Sequence, residues 1–332
     1  METRPLGRTD RHLSALGLGC VTFGREIDQD TAFELLDYAV EKGITWFDTA
    51  EAYGGGNARA YRRDHLGVED EREVSGEVGS SELILGRWLK TRGNRDQITL
   101  CTKVSSGNRP DNIARALATS LERLQTDRID IYKLHGPDAT VPIDESLDAL
   151  GRAIAAAQVD IIGCSNFSAG QLEEALTASK RLRLPRFEIT QPSYNLVQTQ
   201  IVQALLPLCQ QEEVAITPYS PLAAGFLAGK YTPDRAQFPK GSRFDVIPAH
   251  ADDYFSDRNF HIVEELRRLA AAAGRSMVHQ AMAWVVGNRQ ITSTLVGVRT
   301  RAHLDNALDA LENDLSADIR AALDALTFSE AS

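Results

Sequence analysis

Four side chains able to move or hold a proton stand at or just beyond the ends of short apolar runs. Asp48 closes "ITWFD" (44–48), and Tyr53 follows it five residues later within "GITWFDTAEAYGGG". Lys103 closes "ITLCTK" (98–103) and His135 closes "RIDIYKLH" (128–135). A phenol of ordinary pKa, ~10, is a poor donor at neutral pH, but a nearby ammonium stabilises the phenolate and is expected to lower that value. Lys103 would supply the charge, and Asp48 would keep Lys103 protonated and oriented in a buried place. An imidazole beside the phenol can hydrogen-bond a carbonyl oxygen. Together the four groups suit reduction of a ketone or aldehyde, with the hydride supplied by a cofactor. Singly, each has a duller explanation: Tyr53 as a surface aromatic, Lys103 as a snorkelling strand end, His135 as a satisfied core histidine, Asp48 as a turn cap. Only a fold that gathers strand ends makes them neighbours.

The chain carries the elements for such a fold. Eight apolar runs read as strands: the three above and "SALGLGC" (14–20), "VDIIGCS" (159–165), "RFEITQ" (186–191), "VAITPYS" (214–220) and "STLVGV" (293–298). Between them, apolar residues recur at helical spacing, as at Phe33, Leu36 and Val40 or Leu117, Leu121 and Leu124. Thr31 with Glu34 and Ser168 with Gln171 have the spacing of capping boxes, and Asp144 stands at the start of a further amphipathic run. Strands apolar on both faces, alternating with helices eight times, predict an α/β fold with a parallel sheet covered by helices. Eight units close naturally into a (β/α)8 TIM barrel. A doubly wound open sheet is the rival; "GLGCVTFG" after the first strand lacks the G-x-G-x-x-G spacing of a dinucleotide-binding turn. Two segments break the rhythm, an insertion at about 55–79 after the second strand and a long loop at about 221–257 after the seventh. Both are expected at the C-terminal face, where barrel active sites lie, within a single domain spanning 1–332.

The composition restricts the function classes. A hydrophobic share of 43% and a charged share of 25% are those of a globular chain with a sizeable core. Net charge is -10, and the basic residues are scattered, which argues against a nucleic-acid surface. Cys20, Cys101, Cys164 and Cys209 are far apart, so neither a metal site nor a disulfide framework is expected. Neither a signal peptide nor a membrane span is readable, and the expected location is the cytoplasm.

The motifs around these residues resemble those of the aldo-keto reductases, barrel enzymes that use NADPH or NADH. "GITWFDTAEAYG" resembles the stretch bearing that family's catalytic aspartate and tyrosine, "LCTKV" its lysine and "IDIYKLHGPD" its histidine. The resemblance thus implies Asp48, Tyr53, Lys103 and His135 as the catalytic set, interconverting a small carbonyl compound and its alcohol. It also implies a cofactor site. "IIGCSNFS" places Ser165 and Asn166, with Gln191, on the nicotinamide carboxamide, and "YSPLAAGFLAGKY" places Tyr219 against the nicotinamide. Ser220, Leu222 and Gly225 would line the pyrophosphate, with Thr22 after the first strand. "LVGVRTRAHLDNAL" is similar to the adenosine-phosphate signature and implicates Gly297, Arg299, His303 and Asn306. His303 stands where the family has Gln or Arg. Arg299 and Arg301 can pair a 2′-phosphate, which favours NADP, with NAD as the other choice. The insertion is longer than the family's usual link and is expected to cap the substrate mouth, with Tyr61 and His65 facing substrate.

Two other functions stay open on these residues. One is a cofactor-binding sensor or regulatory subunit with little turnover, like the family's potassium-channel β-subunits. The other makes Lys103 the Schiff-base lysine of an aldolase-like lyase.

Overall fold

A computed structural model describes residues 1–328 apart from 57, 58, 60–62, 65, 66, 68–72, 241 and 247. A short antiparallel hairpin, β1 (Thr3–Pro5) and β2 (His12–Ser14), precedes eight parallel strands: β3 (Leu16–Gly19), β4 (Trp46–Asp48), β5 (Thr99–Val104), β6 (Ile129–Leu134), β7 (Val159–Ser165), β8 (Ile189–Gln191), β9 (Ala215–Ile216) and β10 (Thr294–Gly297). Their spatial order is β10-β3-β4-β5-β6-β7-β8-β9. The two ends of this order also meet, because the amides of Thr292 and Ser293 donate to Ile216 O and that of Leu295 donates to Pro218 O. The sheet curls into the (β/α)8 barrel expected from the alternating pattern.

Several strands are shorter than the apolar runs that signal them. Ser14 belongs to the hairpin rather than to the first barrel strand, and β9 keeps only two residues of "VAITPYS". Pro192 follows β8 directly and Pro218 lies two residues past β9. Neither has an N–H to give a ladder, so the chain leaves the sheet there. The helices that cover the sheet begin with α1 (Gln29–Glu41), α2 (Ser80–Arg92), α3 (Pro110–Leu124), α4 (Ile143–Ala155) and α5 (Ala169–Leu182). Ser168 and Gln171 cap α5 reciprocally, as their spacing predicts. The expected box at Thr31 and Glu34 does not form: Asp28 accepts from Thr31 N and is the N-cap of α1, which places Thr31 inside the helix. Asp144 likewise lies in the first turn of α4, behind Pro142 at the cap position.

Side chains alternate along the strands, so every second residue points into the barrel. One interior layer is apolar: Trp46, Cys101, Ile131, Ile161, Ile189, Ala215 and Leu295, closed from the N-terminal end by Leu6 and Leu13 of the hairpin segment. Ion pairs hold that end. Arg11 reaches Asp130 (3.1 Å) and Asp160 (2.5 Å), and Arg95 reaches Asp130 (2.8 Å). Two residues further along each strand, toward the C-terminal face, the interior changes to Asp48, Lys103, Lys133, Gly163, Gln191 and Gly297. The barrel is therefore oily below and ionic above.

The long segment after β9 is built around rings. Phe226, Tyr231, Phe238, Phe244, Tyr254 and Phe255 pack on one another, with Tyr231 and Phe244 centroids 4.5 Å apart and Phe238 and Phe255 5.5 Å apart. It leads into α7 (Asp257–Ala272) and α8 (Met277–Val286), whereas α6 (Leu205–Glu212) lies before β9. After β10 the chain ends in α9 (Arg301–Glu312) and α10 (Ala317–Phe328). Among the described residues no helix is long and apolar enough to cross a membrane.

Candidate active site

Asp48, Lys103 and His135 come from the C-terminal ends of β4, β5 and β6, and Tyr53 from the turn after β4. Ladder pairing brings these ends side by side, Asp48 opposite Cys101 and Lys103 opposite Lys133. Lys103 is fully buried; its Nζ donates to Asp48 Oδ1 (2.5 Å) and Thr49 O (2.8 Å) and lies 3.5 Å from the Tyr53 hydroxyl. The hydroxyl is 3.4 Å from His135 Nε2, with the two rings edge to face at 5.4 Å. His135 Nδ1 is 2.6 Å from Ser105 Oγ. If the Ser105 hydroxyl donates to Nδ1, the imidazole carries its proton on Nε2, toward Tyr53. Glu51 steadies the same corner by accepting from the backbone amides of Ser105 and Ser106 at 2.8 and 3.0 Å.

The electrostatics differ from the sequence-based expectation at one point. Burial pushes the Tyr53 phenol up, and the Lys103 ammonium offsets this only in part because Asp48 pushes the same way, so the phenol ends above its ordinary value. Asp48 is held at about 2: burial would raise it, but Lys103 and Lys133 outweigh that. Burial works against the Lys103 ammonium too, and Asp48 more than restores it, leaving the group above its ordinary value. Buried and held by Asp48 and Thr49 O, the Lys103 ammonium is a poor Schiff-base nucleophile, which counts against the lyase alternative. His135 falls to about 3, from burial first and then Lys103, and is neutral at working pH.

Ser165, Asn166 and Gln191 follow on the next two strands. Ser165 Oγ donates to Gln191 O (2.8 Å). Asn166 Nδ2 donates to His135 O (2.9 Å), and Asn166 Oδ1 accepts from the Tyr219 hydroxyl (2.9 Å). Both Asn166 (φ 61°) and Ser220 (φ 56°) adopt the left-handed conformation, a cost of order 1 kcal/mol or more that tends to gather at ligand-handling positions. Gln191 sits deeper than a mouth residue, with its amide between Lys133 and Asp48.

Further round, Thr22 Oγ1 donates to Val298 O (2.7 Å) and so joins the loop after β3 to the end of β10. Ala223, Ala224 and Gly225 take successive left-handed conformations beside half-buried Leu222. Gly297 is exposed at the end of β10, and a Cβ built on it meets only open space. Arg299 Nε stands 3.7 Å from Glu26 Oε2, and the Arg299 amide donates to His303 Nδ1 (3.1 Å). His303 is held below its ordinary value by burial, then by Arg299 and Lys230. Asn306 is exposed, whereas neighbouring Asp305 accepts from the Tyr38 hydroxyl (2.6 Å). Arg301 lies over the Tyr38 ring (5.2 Å) and near Glu34 (3.8 Å), away from Arg299's partner. Tyr61 and His65 lie outside the described residues.

Five residues here escape the strand-end reading: Lys133, Ser105, Glu51, Lys230 and Glu26. Lys133 alone had a readable signal. In "IYKLH" it lies two residues before His135, and alternation puts it on the same inward face.

The Aldo/keto reductase family model matches residues 15–327. Among curated proteins, the uncharacterized oxidoreductase YrpG of Bacillus subtilis (strain 168) is 31% identical, over 96% of this chain and 94% of its own. A probable voltage-gated potassium channel subunit beta of Oryza sativa subsp. japonica is 30% identical over 94% and 92%, and the aldo-keto reductase YhdN of Bacillus subtilis (strain 168) 30% over 92% and 87%. With one family model covering nearly the whole barrel and relatives of this identity along almost its full length, the chain belongs to the aldo/keto reductase family of oxidoreductases.

Proposed function

We propose that this chain is an NADPH-dependent reductase that interconverts a small aldehyde or ketone and the corresponding alcohol, with Tyr53 as general acid and base. The observation that carries the reading is the Tyr53 hydroxyl within 3.5 Å of both the Lys103 ammonium and the His135 imidazole. The residues present fit a nicotinamide dinucleotide. Ser165, Asn166 and Gln191 offer hydroxyl and amide partners for a carboxamide, and the Tyr219 ring offers a flat apolar face. The left-handed Ser220 and the left-handed run Ala223 to Gly225, with Leu222 between them, suit a pyrophosphate through backbone amides. At the far end Arg299 and Lys230 bring positive charge around His303, with Thr22, Gly297 and Asn306 as further cofactor contacts. That charge favours a 2′-phosphate and hence NADP over NAD. The cofactor supplies hydride to the carbonyl carbon.

The chain's own part is the proton. Tyr53 gives it to the carbonyl oxygen, and the phenolate left behind faces Lys103, which Asp48 keeps charged. Neutral His135 donates from Nε2 and orients the oxygen without competing as an acid. In this reading the chain works in the cytoplasm as one barrel domain, with the 221–257 segment over the cofactor.

Titration with NADPH and NADH, followed by turnover of a generic aldehyde, tests the proposal. Tyr53→Phe is expected to lower kcat by ~10²–10⁴ while NADPH affinity is kept. Binding by both proteins with turnover by neither would favour the second reading, a cofactor-binding regulatory subunit, which the channel-subunit relatives keep in view.

A further inference from the structure

Lys133 is a fully buried ammonium that the proposed proton chemistry does not use. Its Nζ lies 3.3 Å from Asp48 Oδ2 and 3.1 Å from Gln191 Oε1, above the Trp46 ring at 5.2 Å. Asp48 is the carboxylate partner of both Lys103 and Lys133, and among the described residues neither lysine has another. The buried cluster thus holds two cations and one anion. A surplus buried charge costs stability, so its presence asks for a use outside the fold's own energetics.

The use is visible at Gln191. Lys133 has only donors and Asp48 only acceptors, so together they fix which way round the Gln191 amide sits: Oε1 toward Lys133, Nε2 toward Asp48 Oδ1 at 3.3 Å. One N–H of the amide is then spent and one remains. What Gln191 has left to offer a ligand is a donor, matched to an oxygen acceptor such as a carboxamide oxygen.

We propose that Lys133 is a positioning residue for the nicotinamide end of the cofactor, acting by locking the Gln191 amide with a free N–H for the carboxamide oxygen. This rests on the cofactor reading above. It separates the two ends of the dinucleotide: Lys133 matters to the nicotinamide and not to the adenosine phosphates, which meet other elements.

The experiment measures affinity for NADPH by fluorescence and for adenosine 2′,5′-bisphosphate, which lacks nicotinamide, by competition, in the wild type and in Lys133→Met. The variant is expected to bind NADPH about tenfold more weakly, the loss of one oriented hydrogen bond, and the bisphosphate within about twofold of wild type. Removal of the surplus charge, with the Asp48–Lys103 pair left in place, offsets the loss of the donor to Gln191 Oε1, so the melting temperature should stay near that of wild type. Unchanged NADPH affinity overturns the proposal, as does an equal loss of both ligands with a lowered melting temperature, which marks a purely structural role. Lys133→Leu, which likewise has no donor, is read by the same criteria if Lys133→Met does not fold. A wild type that binds neither NADPH nor NADH overturns the cofactor reading and this proposal together; wild-type binding with an indifferent Lys133→Met overturns this proposal alone.

Discussion

The ionisable groups at the barrel mouth are linked, and acid should expose the linkage. His135 is held at about 3 in the folded chain, against ~6.5 for an unfolded histidine, so between those values the unfolded chain binds a proton the folded one refuses. Stability should therefore fall as pH drops from about 6.5 toward 3. Asp48, at about 2 rather than ~3.9, adds a second loss that begins only below about pH 4. Denaturant titrations across this range should show both phases, and His135→Gln should flatten the one above pH 4 while leaving the other. That Asp48, Tyr53, Lys103 and His135 meet at the mouth was legible because each stands at or just past the end of an apolar run, where polarity is otherwise unexplained. Their pKa directions were not: the expected lowering of Tyr53 counted the Lys103 charge but not the burial, which only the packed barrel supplies. Lys133 was hidden for a related reason, since a lone lysine in a strand resembles a solvent-facing residue until the neighbouring strands enclose it.

The elements read well where they repeat and poorly where they depart from repetition. Eight strands were visible as runs, but the chain's exit after β8 and β9 is set by Pro192 and Pro218, which trim those strands inside apolar stretches. The cap of α1 was misplaced by three residues because Asp28 and Thr31 are both good cap residues, and the turn before the helix decides between them. The 221–257 segment had only its length as a signal. Its order comes from ring packing between residues far apart along the loop, which no periodic pattern reveals. Phe244 is fully buried there against Tyr231, Tyr254 and Phe255. Phe244→Ala should cost ~3–5 kcal/mol locally. Hydrogen exchange should then rise across 221–256 while β4 to β7 stay protected; exchange rising equally in the barrel would mean that the loop and barrel unfold as one.

At the scale of the molecule, the barrel's two ends have separate duties. The C-terminal end gathers the ionic layer, and the N-terminal end is stoppered by Leu6 and Leu13, with Arg11 and Arg95 gripping Asp130 beside them. Leu13→Ala should lower unfolding free energy by ~2–5 kcal/mol, read by denaturant melts. The kcat of the protein still folded should be unchanged, because the stopper lies at the opposite end from Tyr53; a kcat that falls with stability would deny that separation. The same closure governs how the molecule comes into being. Strand β10 docks on β3, joining residues 294–297 to 16–19, and Thr292 before it and Leu295 within it also seal against the β9 side. At ~5–20 residues per second on a ribosome, β3 waits roughly 14 s to a minute for that partner. Throughout that wait the growing chain exposes two unpaired strand edges, which are templates for aggregation. The closing step is thus the one that hides them, and all the other strands of the barrel must be made before it can occur.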